Sequence, residues 1–276
     1  VYMVVRNMDK GRAAVEQLRK ELGPVKLHLL QADFESMREV LGVAAELKGV
    51  RIDLLISIIG TFFPGPFKMA SAQEQWPAAG LTTEDGLEQT LATNFFSGAL
   101  LALSLVDQMK SPGSRIIFMI MFARELASRL RHRGIDVFAV QPGVVWTPVH
   151  AKMDRSHYLA AWAVSGSGLF FGQTQYHGAW STLYAATEPS LSGKGFGYFG
   201  PNMLGLWHAT ERQPGTKQAR NPVTCWRLFE ETVKVLEEIV GSAAMPPVPG
   251  NPDDAQGAAP LKGNYRGAHK PTATAA

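Results

Sequence analysis

The sequence predicts an α/β fold with a doubly wound parallel sheet, and three observations predict it. Short apolar runs alternate with stretches of helical periodicity through the first 140 residues. The runs carry no polar residue at every second position, so both faces of each strand are covered. The chain of 276 residues is 46% hydrophobic and 18% charged, which is enough apolar material for a core between two helical layers.

The elements follow in order. Val1 to Val5 is a buried strand, and Asp9 to Leu22 a helix with Val15, Leu18 and Leu22 on one face, stopped by Gly23-Pro24. Val25 to Leu30 is the second strand. Ser36-Met37-Arg38-Glu39 is a capping box that opens a helix with Met37, Val40, Leu41 and Ala44 inward. Asp53 to Ile59 is the third strand, and Glu84 to Lys110 a long, largely buried helix. Arg115 to Ile120 is the fourth strand, Phe122 to Arg131 a helix, and Ile135 to Val140 the fifth strand. The junction Ile120-Met121-Phe122-Ala123 has no Gly, Pro, Asn, Asp or N-cap residue, although such connections usually take about 2–6 residues. Either a loop is missing there or the strand bends directly into the helix.

Residues 1–240 are expected to form one domain. Residues 241–276 are expected to be a disordered tail, because 20 of these 36 positions are Gly, Pro or Ala. A net charge of +3, from 27 basic and 24 acidic residues, is too small for a nucleic-acid footprint. The lone Cys225 excludes an internal disulfide. With no run of about 18 apolar residues, no membrane span is expected, and the expected location is cytoplasmic. The chain starts at Val1 inside an apolar run with no initiator Met, so an upstream segment is expected.

Four features gather where ligands bind in such sheets, beyond the carboxyl ends of the strands. Arg6 follows the first strand, where a guanidinium can grip a 2′-phosphate. Asp33 follows the second, where a carboxylate can accept from an adenine amino group. Gly60 ends the third, where backbone approaches a ligand or turns. Pro142-Gly143-Val144-Val145-Trp146-Thr147 follows the fifth, with the Thr147 hydroxyl in reach of a phosphate or carboxamide. Each residue alone has an ordinary alternative: a surface Arg, a helix-start Asp, a turn. Their common position predicts a dinucleotide site.

With these residues in view, the sequence resembles the short-chain dehydrogenase/reductases, in the group of the retinol dehydrogenases and WW-domain oxidoreductases. The resemblance runs from residue 1 to about residue 240. It is carried by Val4-Val5-Arg6-Asn7, Gln31-Ala32-Asp33-Phe34, Thr83-Glu84-Asp85-Gly86 with Thr93-Asn94-Phe95, and Phe122 to Leu130. Pro142 to Thr147, Gly178 to Ala186 and Ala219 to Thr224 extend it. It implies a Rossmann-like fold, incomplete at its N-terminus, with NADP as cofactor and Arg6 selecting it. Asn94 becomes a catalytic-site residue, and Asp33, Gly60, Pro142, Gly143 and Thr147 become cofactor contacts. The implied reaction is hydride transfer between a small apolar alcohol or carbonyl substrate and the nicotinamide, in a chain that could form a homodimer.

The departures are specific. The family's first strand and glycine-rich turn have no counterpart in these residues. The one Gly-x-Gly-x-x-Gly, Gly195 to Gly200, reads as a late turn. Ile58 and Ile59 stand where the family has Asn and Ala. No Tyr has a Lys four positions on, so the catalytic Ser, Tyr and Lys have no counterparts. The chain as written is therefore expected to be inactive, either as an incomplete copy of an enzyme or as a non-catalytic nucleotide-binding or scaffold protein derived from that fold. Among other chemistries, the seven His residues show no metal-ligand spacing. Trp162, Phe170, Phe171 and Trp180 serve core and lid packing or line an apolar pocket.

Overall fold

A computed structural model describes residues 1–58, 82–109, 112–118, 120–142, 145, 174–201 and 209–250. Gly60, Gly143, Thr147, Trp162, Phe170 and Phe171 lie outside the described residues.

The first two strands form where the apolar pattern places them, but they are half-buried rather than buried, with Val1 and Tyr2 exposed. β1 (Tyr2–Val5) pairs in parallel with β2 (His28–Gln31), Tyr2 opposite His28 and Val5 opposite Gln31. Between them runs α1 (Met8–Leu22). The Asn7 side chain caps it by accepting from the Lys10 N–H at 2.9 Å, and Gly23 ends it at φ 77°. Gly11 lets this helix approach β1 and β2 closely, since a Cβ there would stand 2.9 Å from Val5 Cγ2. α2 (Met37–Glu46) starts at the Ser36 cap, as its capping box predicts. The Glu39 carboxylate does not return to Ser36, however. It accepts from the Asp33 N–H at 2.7 Å and so joins the helix to the end of β2.

A second sheet holds β3 (Leu54–Ile56), β4 (Arg115–Phe118), β5 (Asp136–Val140), β6 (Phe196–Pro201) and β7 (Ala209–Glu211) in that order. The first four are parallel and β7 is antiparallel. β6 corrects the expectation of a late turn at Gly195 to Gly200. Its glycines serve packing, because a Cβ on Gly197 would lie 2.6 Å from the Phe199 ring, which packs edge-on against Phe138. β4 ends at Phe118 and α5 (Ile120–Leu130) begins at Ile120; the junction at position 119 lies outside the described residues.

The long helix begins later than expected. Residues 82–88 form a turn, with Gly86 at φ 75° and Thr82 bridged to Glu88. α3 (Gln89–Leu91) then runs through a π-helical turn, Ala92–Phe96, into α4 (Ser97–Leu105). By length and composition Gln89–Gln108 could cross a membrane, but 67% of its apolar window is buried as the central helix of the core. α4 packs against α2, and α5 against the C-terminal helix α9 (Pro222–Val240), where Phe122 and Phe229 stack at 4.8 Å. On the opposite face, α6 (Gln175–Gly178) leads into α7 (Trp180–Thr187), which covers β4 to β6. The short α8 (Lys217–Arg220) precedes α9.

Residues 241–250 of the expected tail run against this body. Met245 packs on the core and the Pro249 carbonyl accepts from Arg129 Nη1 at 3.0 Å; residues 251–276 lie outside the described residues.

Candidate functional site

The parallel strands point their carboxyl ends the same way, and the sequence-predicted residues sit there. Arg6 leaves β1 and Asp33 leaves β2, and pairing of these strands brings Arg6 Nη1 within 3.8 Å of Asp33 Oδ2. The same guanidinium nitrogen lies 3.2 Å from Glu35 Oε1. Asp33 is held by an Asx turn, its Oδ1 accepting from the Glu35 N–H at 3.1 Å. Arg6 and Asp33 remain accessible, at 61% and 38% side-chain exposure, so the pair faces solvent and is screened.

Glu35, Glu39, Asp85 and Gln89 complete the cluster, and none of them was a candidate site residue in the sequence. Gln89 Nε2 donates to Glu35 Oε2 at 2.6 Å, and Asp85 Oδ2 accepts from the Met37 N–H at 2.8 Å. These contacts tie the end of β2 to the beginning of the segment that carries Asn94. Asp85 was legible as part of a family block, whereas Glu35 and Gln89 meet across 54 positions with no local pattern. Asn94 itself is half-buried in the π-helical turn. That turn shifts the residues after it around the helix axis, and such turns recur at functional sites.

Beside Arg6 lies an open groove of about 540 Å³ lined by Gln31, Asp33, Glu39, Gly42, Val43 and Glu46. One arginine and three carboxylates suit a ligand with hydrogen-bond donors and one strongly anionic group. That is the character of the adenosine end of NADP. The fit stops there. A pyrophosphate needs clustered backbone N–H donors, and the described residues place none between β1 and β3.

The remaining expected contacts are scattered or outside the described residues. Pro142 is exposed just beyond β5. Ser57, just after β3, is buried, its N–H donating to the Ile117 carbonyl at 2.9 Å. Tyr198 on β6 donates its hydroxyl to Gln141, and burial raises its pKa despite the opposing Arg212 charge. Among the described residues no group of three His, Cys, Asp or Glu side chains could hold a metal.

Fold and site together define an α/β domain with a mostly parallel sheet and its candidate residues at the carboxyl ends of the strands. No family model matches the chain. A structure of an uncharacterised protein from Mycobacterium paratuberculosis aligns with TM-score 0.59 at 19% identity, covering 86% of this chain and 84% of that one. L-Sorbose reductase from Gluconobacter frateurii, solved with NADPH and L-sorbose, aligns with TM-score 0.53 at 16% identity over 71% and 83%.

In sequence the chain is similar to short-chain dehydrogenase/reductases of the retinol dehydrogenase and WW-domain oxidoreductase group, as its motifs imply. It is 25% identical to mouse polyprenol dehydrogenase over 236 residues, covering 68% of this chain and 64% of that protein. It is 24% identical to the chicken WW domain-containing oxidoreductase over 285 residues, covering 87% and 63%. It is 26% identical to human retinol dehydrogenase 14 over 256 residues, covering 72% and 70%. The chain thus spans just under two thirds of the length of the first two.

Proposed function

We propose that the Arg6–Asp33 cluster is the adenosine end of an NADP(H) site. The reaction to which that site belongs is hydride transfer between an apolar alcohol or carbonyl compound, such as a retinoid, polyprenol or lipid aldehyde, and the nicotinamide. The observation that carries this reading is the placement of Arg6, Asp33 and Glu35 together at the carboxyl ends of two adjacent parallel strands. Bound NADPH would supply the hydride. The chain's own residues would grip the 2′-phosphate with Arg6 and accept from the adenine with Asp33.

We further infer that the 276-residue chain holds the cofactor without turning substrate over. Proton transfer to a developing alkoxide needs a positioned acid, commonly worth about 10²–10⁴-fold. These residues contain no Tyr with a Lys one helical turn on, and one position separates the end of β4 from the start of α5. The test is a fluorescence titration with NADPH, run beside an assay of NADPH consumption with an aliphatic aldehyde or retinal. Saturable binding without consumption supports both parts. Consumption above the protein-free rate overturns the second, and absence of binding up to millimolar NADPH overturns the first.

A further inference from the structure

Glu35 stands between two partners. Its Oε1 lies 3.2 Å from Arg6 Nη1, and its Oε2 accepts from Gln89 Nε2 at 2.6 Å. Asp33 Oδ2 approaches the same Arg6 nitrogen, at 3.8 Å. Asp33, Glu39 and Glu46 line the groove beside Arg6, whereas Glu35 is not among the described residues that do. Its bond therefore draws Nη1 toward a carboxylate outside the groove. The Glu35 side chain is 22% exposed and that of Arg6 61%, so the arginine is the freer member of the pair.

On the NADP(H) reading of this site, on which the inference rests, we propose that Glu35 is its specificity-determining residue: an internal competitor that holds Arg6 Nη1 until a 2′-phosphate displaces it. A phosphate is gripped by a guanidinium through two parallel N–H bonds. The fork of Nη1 and Nη2 opens to a phosphate only when Nη1 leaves Glu35. The displaced carboxylate keeps its other bond, because Gln89 holds Oε2 independently of Arg6. A cofactor without the 2′-phosphate has no group for Arg6 and leaves the pair closed.

Electrostatics decides the direction of the effect. Asp33, Glu35, Glu39 and Glu46 share the site with Arg6, and a phosphate adds about two further negative charges. An exposed ion pair does little to fix an arginine, whereas the Glu35 charge opposes a phosphate at close range. Removing that charge strengthens binding of the phosphate. A Glu35 that merely supported Arg6 would give the opposite result.

The test is fluorescence titration of the full chain with NADPH and with NADH, in wild type, Glu35→Gln, Glu39→Gln, Arg6→Ala and the double variant Arg6→Ala/Glu35→Gln. Both glutamine substitutions keep an acceptor, for Gln89 Nε2 and for the Asp33 N–H respectively, so each removes charge and retains its local bond. Glu35→Gln is expected to tighten NADPH binding about fivefold and to leave NADH binding unchanged. Glu39, which among the described residues makes no bond to Arg6, serves as the comparison. Glu39→Gln tightens NADPH binding about twofold, through the screened field alone. In the Arg6→Ala background the gain from Glu35→Gln falls to about twofold as well. A weaker or unchanged NADPH affinity in Glu35→Gln, a gain no larger than that of Glu39→Gln, an equal gain for NADH, or a gain that survives Arg6→Ala in full overturns the proposal and leaves the cofactor reading standing. Absence of NADPH binding in every variant overturns the cofactor reading and this inference with it.

Discussion

Arg6 and Asp33 stand 3.8 Å apart at the ends of neighbouring strands, with Glu35 sharing the same guanidinium nitrogen at 3.2 Å. An arginine so placed is held in position by carboxylates yet stays 61% exposed to a ligand. Replacing it removes the one cation among the described residues that line the groove, without disturbing the core. Arg6→Ala is expected to weaken NADPH binding about tenfold, close to 1.4 kcal/mol, and to leave NADH binding unchanged. Paired isothermal titrations with the two cofactors check this.

Arg129 is a buried hub. Nε donates to Glu125 at 2.9 Å, Nη2 to Glu230 at 2.6 Å and Nη1 to the Pro249 carbonyl at 3.0 Å, while its guanidinium lies 4.1 Å from the Phe229 ring centre. Arg129→Met keeps volume but leaves the Glu125 carboxylate buried without this cation. The expected loss is about 3–5 kcal/mol of unfolding free energy in urea. Glu125→Gln in the same background recovers part of it.

Gly98 lets α4 lie against the second sheet. A Cβ there would sit 2.3 Å from Phe118 Cε2 and 2.5 Å from Ser57 Oγ. Alanine gains up to about 1 kcal/mol in helix propensity, but overpacking typically costs about 1–3 kcal/mol. With Phe118 fully buried, the clash wins. Gly98→Ala is expected to lower the melting temperature, and Phe118→Leu added to it to restore part of the loss.

Cys225 is buried, with Sγ donating to the Ala219 carbonyl at 3.6 Å. Burial is the main cause of its pKa rising from 9.0 to about 11; Glu125 adds to the rise and Arg124 opposes it. The folded state holds this proton more tightly than the unfolded chain. The associated stability is therefore fully present below pH 9 and is lost as pH rises toward 11, by at most about 2–3 kcal/mol. Tyr198 titrates late for the same reason. The difference between wild type and Cys225→Ala in urea melts from about pH 8 to 11 isolates the cysteine contribution.

The first half of the fold is legible because its signals are local: apolar runs of four or five residues, the Asn7 and Ser36 caps, and the Gly23 stop. β6 is not, because Gly197 and Gly200 mimic a turn motif while their lack of side chains serves the Phe199 ring and the Gln141 carbonyl. Arg6 and Asp33 are legible from their positions after two strands. Their partners Glu35 and Gln89 are not, since only the folded chain joins them.

We propose that this chain binds NADP(H) through its adenosine end and does not catalyse hydride transfer. The most direct measurement is NADPH fluorescence titration of wild type and Arg6→Ala, with NADPH consumption followed in the same cuvette after addition of an apolar aldehyde. Saturable binding to wild type, weakened about tenfold by the substitution and unaccompanied by consumption, is the predicted result. Equal binding by both proteins, or aldehyde-dependent consumption by wild type, would contradict it.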